Sequence, residues 1–577
     1  MNRRIIRLAL LTGLAVILIS LAVSAYAAAN TPSIRFSWTV EGSEVFVKVY
    51  EKKDKSLYLF LPGSLKGQEP VIRFDGDEEI TWGEETYRNG DVFHAQQYLG
   101  QTVEVKTSHG RLTQKIKVLQ GSEIPALFFS IDTGDLRRIT NQFNRVNKDK
   151  RDIREKADLV MVAGDGSLNA AESVTSFKTH GNSTYFGVKK PYQFKMEHKV
   201  ALAGMEKNKK WMLLANWFDI SLVRNQLTFD LCREIGMTAT PDCRQVDLYI
   251  NSAYYGTYLL AEKIQLKKGR LEITDLEEML EELNGKDAYE SAKWKKGRGS
   301  GIAQSLRWFD VAEEPEDVTG GYLLEIEKAL HYKLMENVAG FITTHSMRIV
   351  IKEPSHAGRR EVEYIASLVN DFHDAVFRKD GISSKTGRYY TEFIDVKSFA
   401  LKVAVEEFTE NYDVRAASHF MYKDRDSVDP HLYAGPGWDY DLTYGNKDDG
   451  MHNPLKEDYV YLRSSEDGYL YHSLLNHADF KAETRKYFEE IFVPAAEVLT
   501  GKREPAAGSP LKSVAAYQDE IRDSAAMNFA LYLPRIIPDV WDGSGRTFED
   551  SGAYLSSFIS QRLDMMKEKW LVTEEKK

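Results

Sequence analysis

The stretch from Glu406 to Asn446 reads EEFTENYDVRAASHFMYKDRDSVDPHLYAGPGWDYDLTYGN and carries the main candidate functional residues of the chain. It contains two carboxylate-bearing loops, Asn411–Asp413 and Trp438–Asp441, joined by an aromatic segment that predicts a hairpin. Phosphoryl transfer needs one carboxylate to accept the proton of an attacking hydroxyl and another to hold a divalent cation. The spacing suits two loops that meet at one site. Asn, Asp and Gly are also common turn residues, so a polar hairpin without chemistry is the alternative.

Four further motifs accompany this stretch in a fixed order along the chain. They are THGNST at 179–184, KKPYQFK at 189–195, NWFDISLVRN at 216–225 and YGTYLLAE at 255–262. With them the chain resembles the spore-coat protein H (CotH) kinase family over roughly residues 124 to 495. The resemblance implies an α+β, atypical protein-kinase-like domain with two lobes. It also implies ATP-dependent phosphorylation of Ser or Thr hydroxyls in coat, surface or extracellular proteins.

The same resemblance assigns roles to individual carboxylates. It maps Asp413 onto the catalytic position, and Asp439 and Asp441 onto a loop that binds Mg²⁺ or Mn²⁺. Protein kinases carry a metal-binding Asn five residues after the catalytic Asp, and this chain has Ser418 there. A hydroxyl is a poorer Mg²⁺ ligand than an amide oxygen. Either another residue such as Asn411 substitutes as a metal ligand, or only one metal binds tightly. The sequence therefore leaves open whether activity is reduced or absent.

A second group of residues is predicted to contact the nucleotide. A turn of small residues offers backbone N–H groups to phosphate oxygens, and a lysine on the following strand can neutralise them. A helix over 221–235, predicted to be amphipathic, offers Asp230 and Glu234 as partners for that lysine, Lys195. The alternative is a solvated hairpin tip with ordinary surface lysines. The predicted cofactor-binding residues are Asn182, Ser183, Lys190, Lys195, Arg224 and Glu262.

The first residues of the chain have the pattern of a secretory signal peptide. Arginines precede an apolar run, and a small-x-small site ends at Ala27, which predicts a signal peptide over 1–27 and an extracytoplasmic protein. An uncleaved membrane anchor is the alternative. The chain has two cysteines, Cys232 and Cys243, and their spacing leaves open whether they form a disulfide or stay as buried thiols.

Composition shifts divide the remainder of the chain. Short alternating runs over 30–121 predict a β-sandwich accessory module, followed by the kinase-like domain over 124–495. Blocks of like charge and a Gly-Ser run over 275–319 predict an insertion or flexible loop. A hairpin is predicted from the runs 246–250 and 255–262 around Asn251–Ala253. Helices are predicted over about 358–378 and 395–410, and residues 496–577 are predicted to form a helical extension.

Several classes of function are disfavoured. The net charge of −10 argues against general nucleic-acid binding. The chain contains no P-loop, H-E-x-x-H or G-x-S-x-G motif, which makes P-loop, metalloprotease and serine-hydrolase functions weak candidates. Beside a secreted kinase, two hypotheses remain. One is a catalytically silent surface or coat-assembly protein, and the other is a glycoside hydrolase that uses Asp413 and Asp439 as its carboxylate pair.

Overall fold

The computed structural model describes residues 34–75, 79–107, 113–134, 136–140, 153–181, 183–298, 300–413, 418–447, 452–460, 470–532, 540 and 542–571. The predicted signal peptide lies outside these residues. Within them, none of the helices combines the length and the apolar character needed to cross a bilayer. The fold is α+β, with helices and several separate sheets.

Residues 35–120 form two sheets around an aromatic core. A three-stranded sheet has the order β2-β1-β5, and a six-stranded sheet has the order β3-β4-β9-β8-β6-β7. Phe36, Trp82 and Phe93 are fully buried between them. The strands are β1 (Arg35–Val40), β2 (Ser43–Lys48), β3 (Tyr50–Glu51), β4 (Leu57–Leu61), β5 (Val71–Arg73), β6 (Glu79–Trp82), β7 (Glu85–Arg88), β8 (Thr102–Thr107) and β9 (Thr113–Gln120).

The next unit is a closed barrel with the strand order β10-β11-β12-β13-β14-β16-β15. Parallel pairing of β10 with β15 closes it. The predicted hairpin over 246–262 is confirmed, and its tip residues Asn251 and Ser252 have the positive φ angles of a tight turn. The strands are β10 (Ala126–Ile131), β11 (Glu155–Val162), β12 (Leu168–Thr179), β13 (Tyr192–Val200), β14 (Asn208–Leu214), β15 (Cys243–Ile250) and β16 (Ala253–Glu262).

A seven-stranded sheet with the order β17-β18-β20-β21-β19-β22-β23 forms the third unit. One face packs against helices and builds a second large core. Its strands are β17 (Lys293–Lys296), β18 (Arg307–Asp310), β19 (Tyr322–Ile326), β20 (Gly340–Ile342), β21 (Arg348–Glu353), β22 (His419–Lys423) and β23 (Leu432–Ala434).

The helices follow the sequence expectations in part. Those predicted near 358–378 and 395–410 are confirmed. The helices are α1 (Arg137–Thr140), α2 (Arg224–Glu234), α3 (Leu276–Asn284), α4 (Lys286–Glu290), α5 (Ile302–Ser305), α6 (Ala329–Leu334), α7 (Arg359–Phe377), α8 (Val396–Thr409), α9 (Leu470–Leu475), α10 (Ala478–Tyr487), α11 (Val493–Leu499), α12 (Val514–Leu531) and α13 (Phe548–Leu571).

Two expectations are corrected. Helix α2 is not amphipathic, since every residue from Arg224 to Cys232 is buried between the barrel and the C-terminal helices. The segment 275–319 is not a flexible loop, because α3, α4, β17 and β18 form within it. Widely spaced apolar residues such as Leu276, Tyr289 and Phe309 anchor the segment in the second core despite the charged residues around them.

The two cysteines do not form a disulfide. Cys232 on α2 and Cys243 on β15 are both free and fully buried in one apolar cluster. Burial raises the pKa of both thiols, to about 12 for Cys232. Both therefore act as small apolar core residues.

A buried histidine on α7 makes stability depend on pH. His373 is fully buried among aromatic rings, and burial lowers its pKa to about 3, with a smaller effect from the charge of His345. Because the folded pKa lies below the unfolded value near 6.5, the contribution of the neutral ring is complete above pH 6.5 and is lost as the pH falls toward 3.

We expect His373→Phe to reduce this loss of stability at acid pH. Between pH 6.5 and 5 the wild-type protein should lose about 2 kcal/mol more free energy of unfolding than the variant, as measured by urea titration at both pH values. A change at the exposed His198 serves as the control. Equal losses in wild type and His373→Phe would show that His373 is not the responsible group.

Candidate functional site

The first carboxylate loop begins where α8 ends. Glu410 caps this helix in the left-handed conformation, and the chain then turns through Asn411 and Tyr412 to Asp413. The Asn411 side-chain oxygen accepts a hydrogen bond from the Asp413 N–H at 3.0 Å. Such a turn fixes the backbone of Asp413 locally. Asn411, predicted as a metal ligand, is buried and shapes this loop.

The second carboxylate loop follows the β22–β23 hairpin and reaches the first one. Ser418 donates a hydrogen bond from its hydroxyl to Oδ2 of Asp439 at 3.0 Å, and both residues have positive φ angles. Burial and then the charge of Asp413 raise the pKa of Asp439 to about 6, while Ser418 acts in the opposite direction. Asp413 and Asp439 are therefore close enough to repel each other across the two loops.

Asp441 lies on the same loop and is almost entirely buried. Burial, followed by the charges of Asp439, Asp413 and Asp219, raises its pKa well above the ordinary value. Among the described residues its carboxylate has no ion-pair or side-chain hydrogen-bond partner. Between the two carboxylates, the Tyr440 N–H donates to Asn225 Oδ1 at 2.7 Å, which anchors the loop to α2. The loop thus fixes two carboxyl groups whose burial disfavours their charged forms.

This donor set fits a hard divalent cation. Asp439 and Asp441 supply carboxylate oxygens, which Mg²⁺ and Mn²⁺ prefer. In the described part of the chain, no three His, Cys, Asp or Glu side chains are grouped closely enough to enclose a metal. Mg²⁺ is usually held by one or two carboxylates together with substrate phosphates, so the pair is sufficient for that mode of binding.

The residues predicted to contact the nucleotide lie in different surroundings. Asn182 is outside the described residues, and Ser183 is exposed just before the turn Thr184–Phe186. Lys190 braces that turn, because its ammonium donates to the Tyr185 carbonyl oxygen at 2.5 Å and lies 4.7 Å from the centroid of the Tyr185 ring. The turn and Lys190 therefore form one local unit.

Lys195 points outward from the barrel and sits among cations. Burial and then the charge of Lys210, directly opposite on β14, lower its pKa. The expected pairing with α2 is wrong, since Asp230 accepts a hydrogen bond from the Tyr517 hydroxyl at 2.6 Å and Glu234 accepts one from the Ser509 hydroxyl at 2.5 Å. Both acids of α2 face the C-terminal segment.

Arg224 and Glu262 are both buried and both engaged. Arg224 forms ion pairs with Asp219 at 2.5 Å and with Asp542 at 3.0 Å. Glu262, at the end of β16, faces Arg270 at 3.3 Å. These contacts give each residue a role within the protein interior.

Comparison with protein-family models gives a match to one family, the CotH kinase protein, over residues 177–566. The match covers 390 of the 577 residues and includes both carboxylate loops. The chain belongs to the CotH kinase family. The match also continues past residue 495, the predicted end of the domain, through most of α13. A comparison with curated proteins gave no match.

The CotH site contains a side chain that was not predicted from the sequence. Lys328 follows β19 and forms an ion pair with Oδ1 of Asp413. Its charge also lowers the pKa of the neighbouring Asp439. On the same strand, Glu325 pairs with Lys352 at 2.8 Å. The only signal in the sequence was the cluster Glu325, Glu327 and Lys328 at the end of an apolar strand.

We expect the Lys328–Asp413 pair to be energetically coupled. Lys328→Met should lower the free energy of unfolding by about 1 kcal/mol, because the Asp413 side chain is only 14% exposed and loses its cation. In an Asp413→Asn background the same change should lower the free energy of unfolding by much less. Urea titration of the two single variants and the double variant measures this coupling.

A matched control is available on the adjoining helix. Lys333 is exposed on α6, so Lys333→Met removes an equal charge at a site without this pair. It should leave stability close to that of the wild type in both backgrounds. If Lys328→Met lowered the free energy of unfolding equally with and without the Asp413 charge, the ion pair would contribute nothing to stability.

Proposed function

We propose that this CotH-family chain is a protein kinase that transfers the terminal phosphoryl group of ATP to Ser or Thr hydroxyls. The observation that carries the proposal is the meeting of the two carboxylate loops, where Ser418 bonds Asp439 and Asp413 perturbs its pKa. One group can then serve the acceptor and the other the nucleotide. The acceptors we propose are coat, surface or extracellular proteins, in keeping with the signal-peptide pattern at the start of the sequence.

Asp413 is proposed to orient the acceptor hydroxyl and to receive its proton. The acceptor oxygen forms a bond to the γ-phosphorus as the bond to the bridging oxygen of ADP breaks, so the proton goes to the carboxylate and ADP leaves. Lys328 holds the carboxylate in position before the acceptor arrives. The Asn411 oxygen fixes the backbone that carries it.

Asp439 and Asp441 are proposed to hold Mg²⁺ or Mn²⁺. When bound, such an ion supplies positive charge to the phosphate oxygens. Ser418 occupies the position where protein kinases place a second metal ligand, but here its hydroxyl donates to Asp439. We infer that Ser418 orients a metal-binding carboxylate instead of binding a metal itself.

A catalytically silent relative is the second candidate. The observation that favours it is the ion pair between Lys328 and Asp413, which occupies the proposed base. A silent protein would show no thermal stabilisation by ATP with Mn²⁺ or Mg²⁺. A kinase in which Lys328 only positions the base would show both stabilisation and phosphoryl transfer.

Asp413→Asn should abolish phosphoryl transfer and leave nucleotide binding intact. Loss of a positioned base costs roughly 10²- to 10⁴-fold in rate. The measurement is incorporation of labelled phosphate into the protein and into candidate acceptors. Asp426→Asn is the control, because Asp426 is a carboxylate of the intervening hairpin that bonds Lys423 and Tyr364. Wild-type labelling by Asp413→Asn would remove Asp413 from the catalytic role.

Asp439→Asn should instead abolish nucleotide binding that depends on metal. A ligand at about 100 times its dissociation constant stabilises the folded state by roughly 2.7 kcal/mol, which corresponds to a rise of a few degrees in the melting temperature of a large domain. We expect this rise with ATP and Mn²⁺ in wild type and in Asp413→Asn, and not in Asp439→Asn. An unchanged rise in Asp439→Asn would move the metal to Asp441 alone or away from this loop.

A further inference from the structure

Three lysines form a row across neighbouring strands on the outer face of the barrel. Lys195 on β13 lies directly opposite Lys210 on β14. Trp211 on β14 pairs with Glu262, the last residue of β16, and Lys263 follows it, close enough to Lys210 for their charges to interact. We call Lys195, Lys210 and Lys263 the lysine row. Adjacent strands are about 4.8 Å apart, so the row spans about 10 Å.

The lysine row has no counter-ion of its own. Among the described residues, none of its three ammonium groups forms an ion pair or a side-chain hydrogen bond. Burial and then the charge of Lys210 lower the pKa of Lys263 to about 8. Like charges directly opposite each other on neighbouring strands are destabilising. The repulsion between these lysines is thus not relieved by an ion pair among the described residues.

The nearest acids do not balance this charge. Glu277 and Glu353 share a hydrogen bond, and burial followed by Glu277 raises the pKa of Glu353 to about 9. At neutral pH the pair therefore retains one proton and carries a single negative charge. Further cations surround the row, because the charges of Lys209, Lys286 and Arg154 act on Lys195.

The row is linked electrostatically to the candidate active site. Lys352, whose charge acts on Lys263, pairs with Glu325 at 2.8 Å. The charge of Glu325 in turn raises the pKa of Asp439. Lys352 and Glu325 therefore lie between the row and the second carboxylate loop.

We propose that the lysine row binds an anionic stretch of the acceptor polypeptide, rich in carboxylate or phosphate groups, and so holds the acceptor for phosphorylation. The identification of the bound polypeptide as a phosphorylation acceptor rests on the proposed kinase function. A nucleotide would need an apolar pocket for its base, whereas charged groups flank Lys195. The outward orientation and the linear register of the row suit an extended chain. Lys195, predicted from the sequence to bind ATP, is thereby reassigned to the acceptor.

The test compares peptide binding by the wild type with binding by a variant that carries Lys195→Gln, Lys210→Gln and Lys263→Gln. The probes are fluorescent decapeptides, one of glutamate, one with several phosphoserines and one of neutral Gly and Ser. We expect at least one anionic peptide to bind at low salt and about tenfold or more weaker binding by the variant. Binding should weaken as the ionic strength rises. The two anionic peptides distinguish carboxylate from phosphate as the preferred group.

The control variant removes the same charge elsewhere. Lys106, Lys115 and Lys117 are exposed on β8 and β9 of the N-terminal sheets, and changing all three to Gln should leave peptide binding unchanged.

Two results would overturn the proposal. The first is equal peptide binding by wild type and row variant, or no binding of either anionic peptide. The second is loss of the thermal shift with ATP and Mn²⁺ in the row variant, which would assign the row to the nucleotide. Because the peptide assay contains no ATP, failure of the kinase proposal leaves its outcome interpretable.

Discussion

One buried guanidinium connects the segments that hold the second carboxylate loop. Arg224 is fully buried at the start of α2, and it bonds Asp219, Asp542 in the C-terminal segment and the carbonyl oxygen of Thr443, two residues beyond Asp441. Removing one member of a buried pair typically costs 3–5 kcal/mol, because the remaining charge loses its partner. The position of the loop therefore depends on residues more than 200 positions apart.

The first loop is held in a similar way from the C-terminal helix. Arg562 on α13 is fully buried and pairs with Glu407 and Glu410 at the end of α8, just before Asp413. The C-terminal helices are thus part of the support for both loops, which agrees with a family match that extends to residue 566. The two arginines let Asp413, Asp439 and Asp441 stay close although their charges repel. The repulsion among these carboxylates lowers the stability of the folded state, as is common at functional sites.

Local patterns in the sequence predicted a good part of the fold and of the candidate site. The β15–β16 hairpin, helices α7 and α8, and the two carboxylate loops follow from turns and periodicity within short windows. The partner of Asp413 could not be found in that way, because Lys328 lies 85 positions earlier and nothing in its neighbourhood specifies the contact. The parallel pairing that closes the barrel joins β10 to β15, whose paired residues are 121 positions apart. The structured segment 275–319 was missed since its few apolar anchors are dispersed among charges.

The two cysteines have a consequence for where the chain can fold. Cys232 and Cys243 are its only cysteines, both are buried, and neither is crosslinked. The folded state therefore draws no stability from an oxidant, and its thiols are shielded from glutathione and from disulfide exchange. Its stability should be the same in reducing and oxidising compartments.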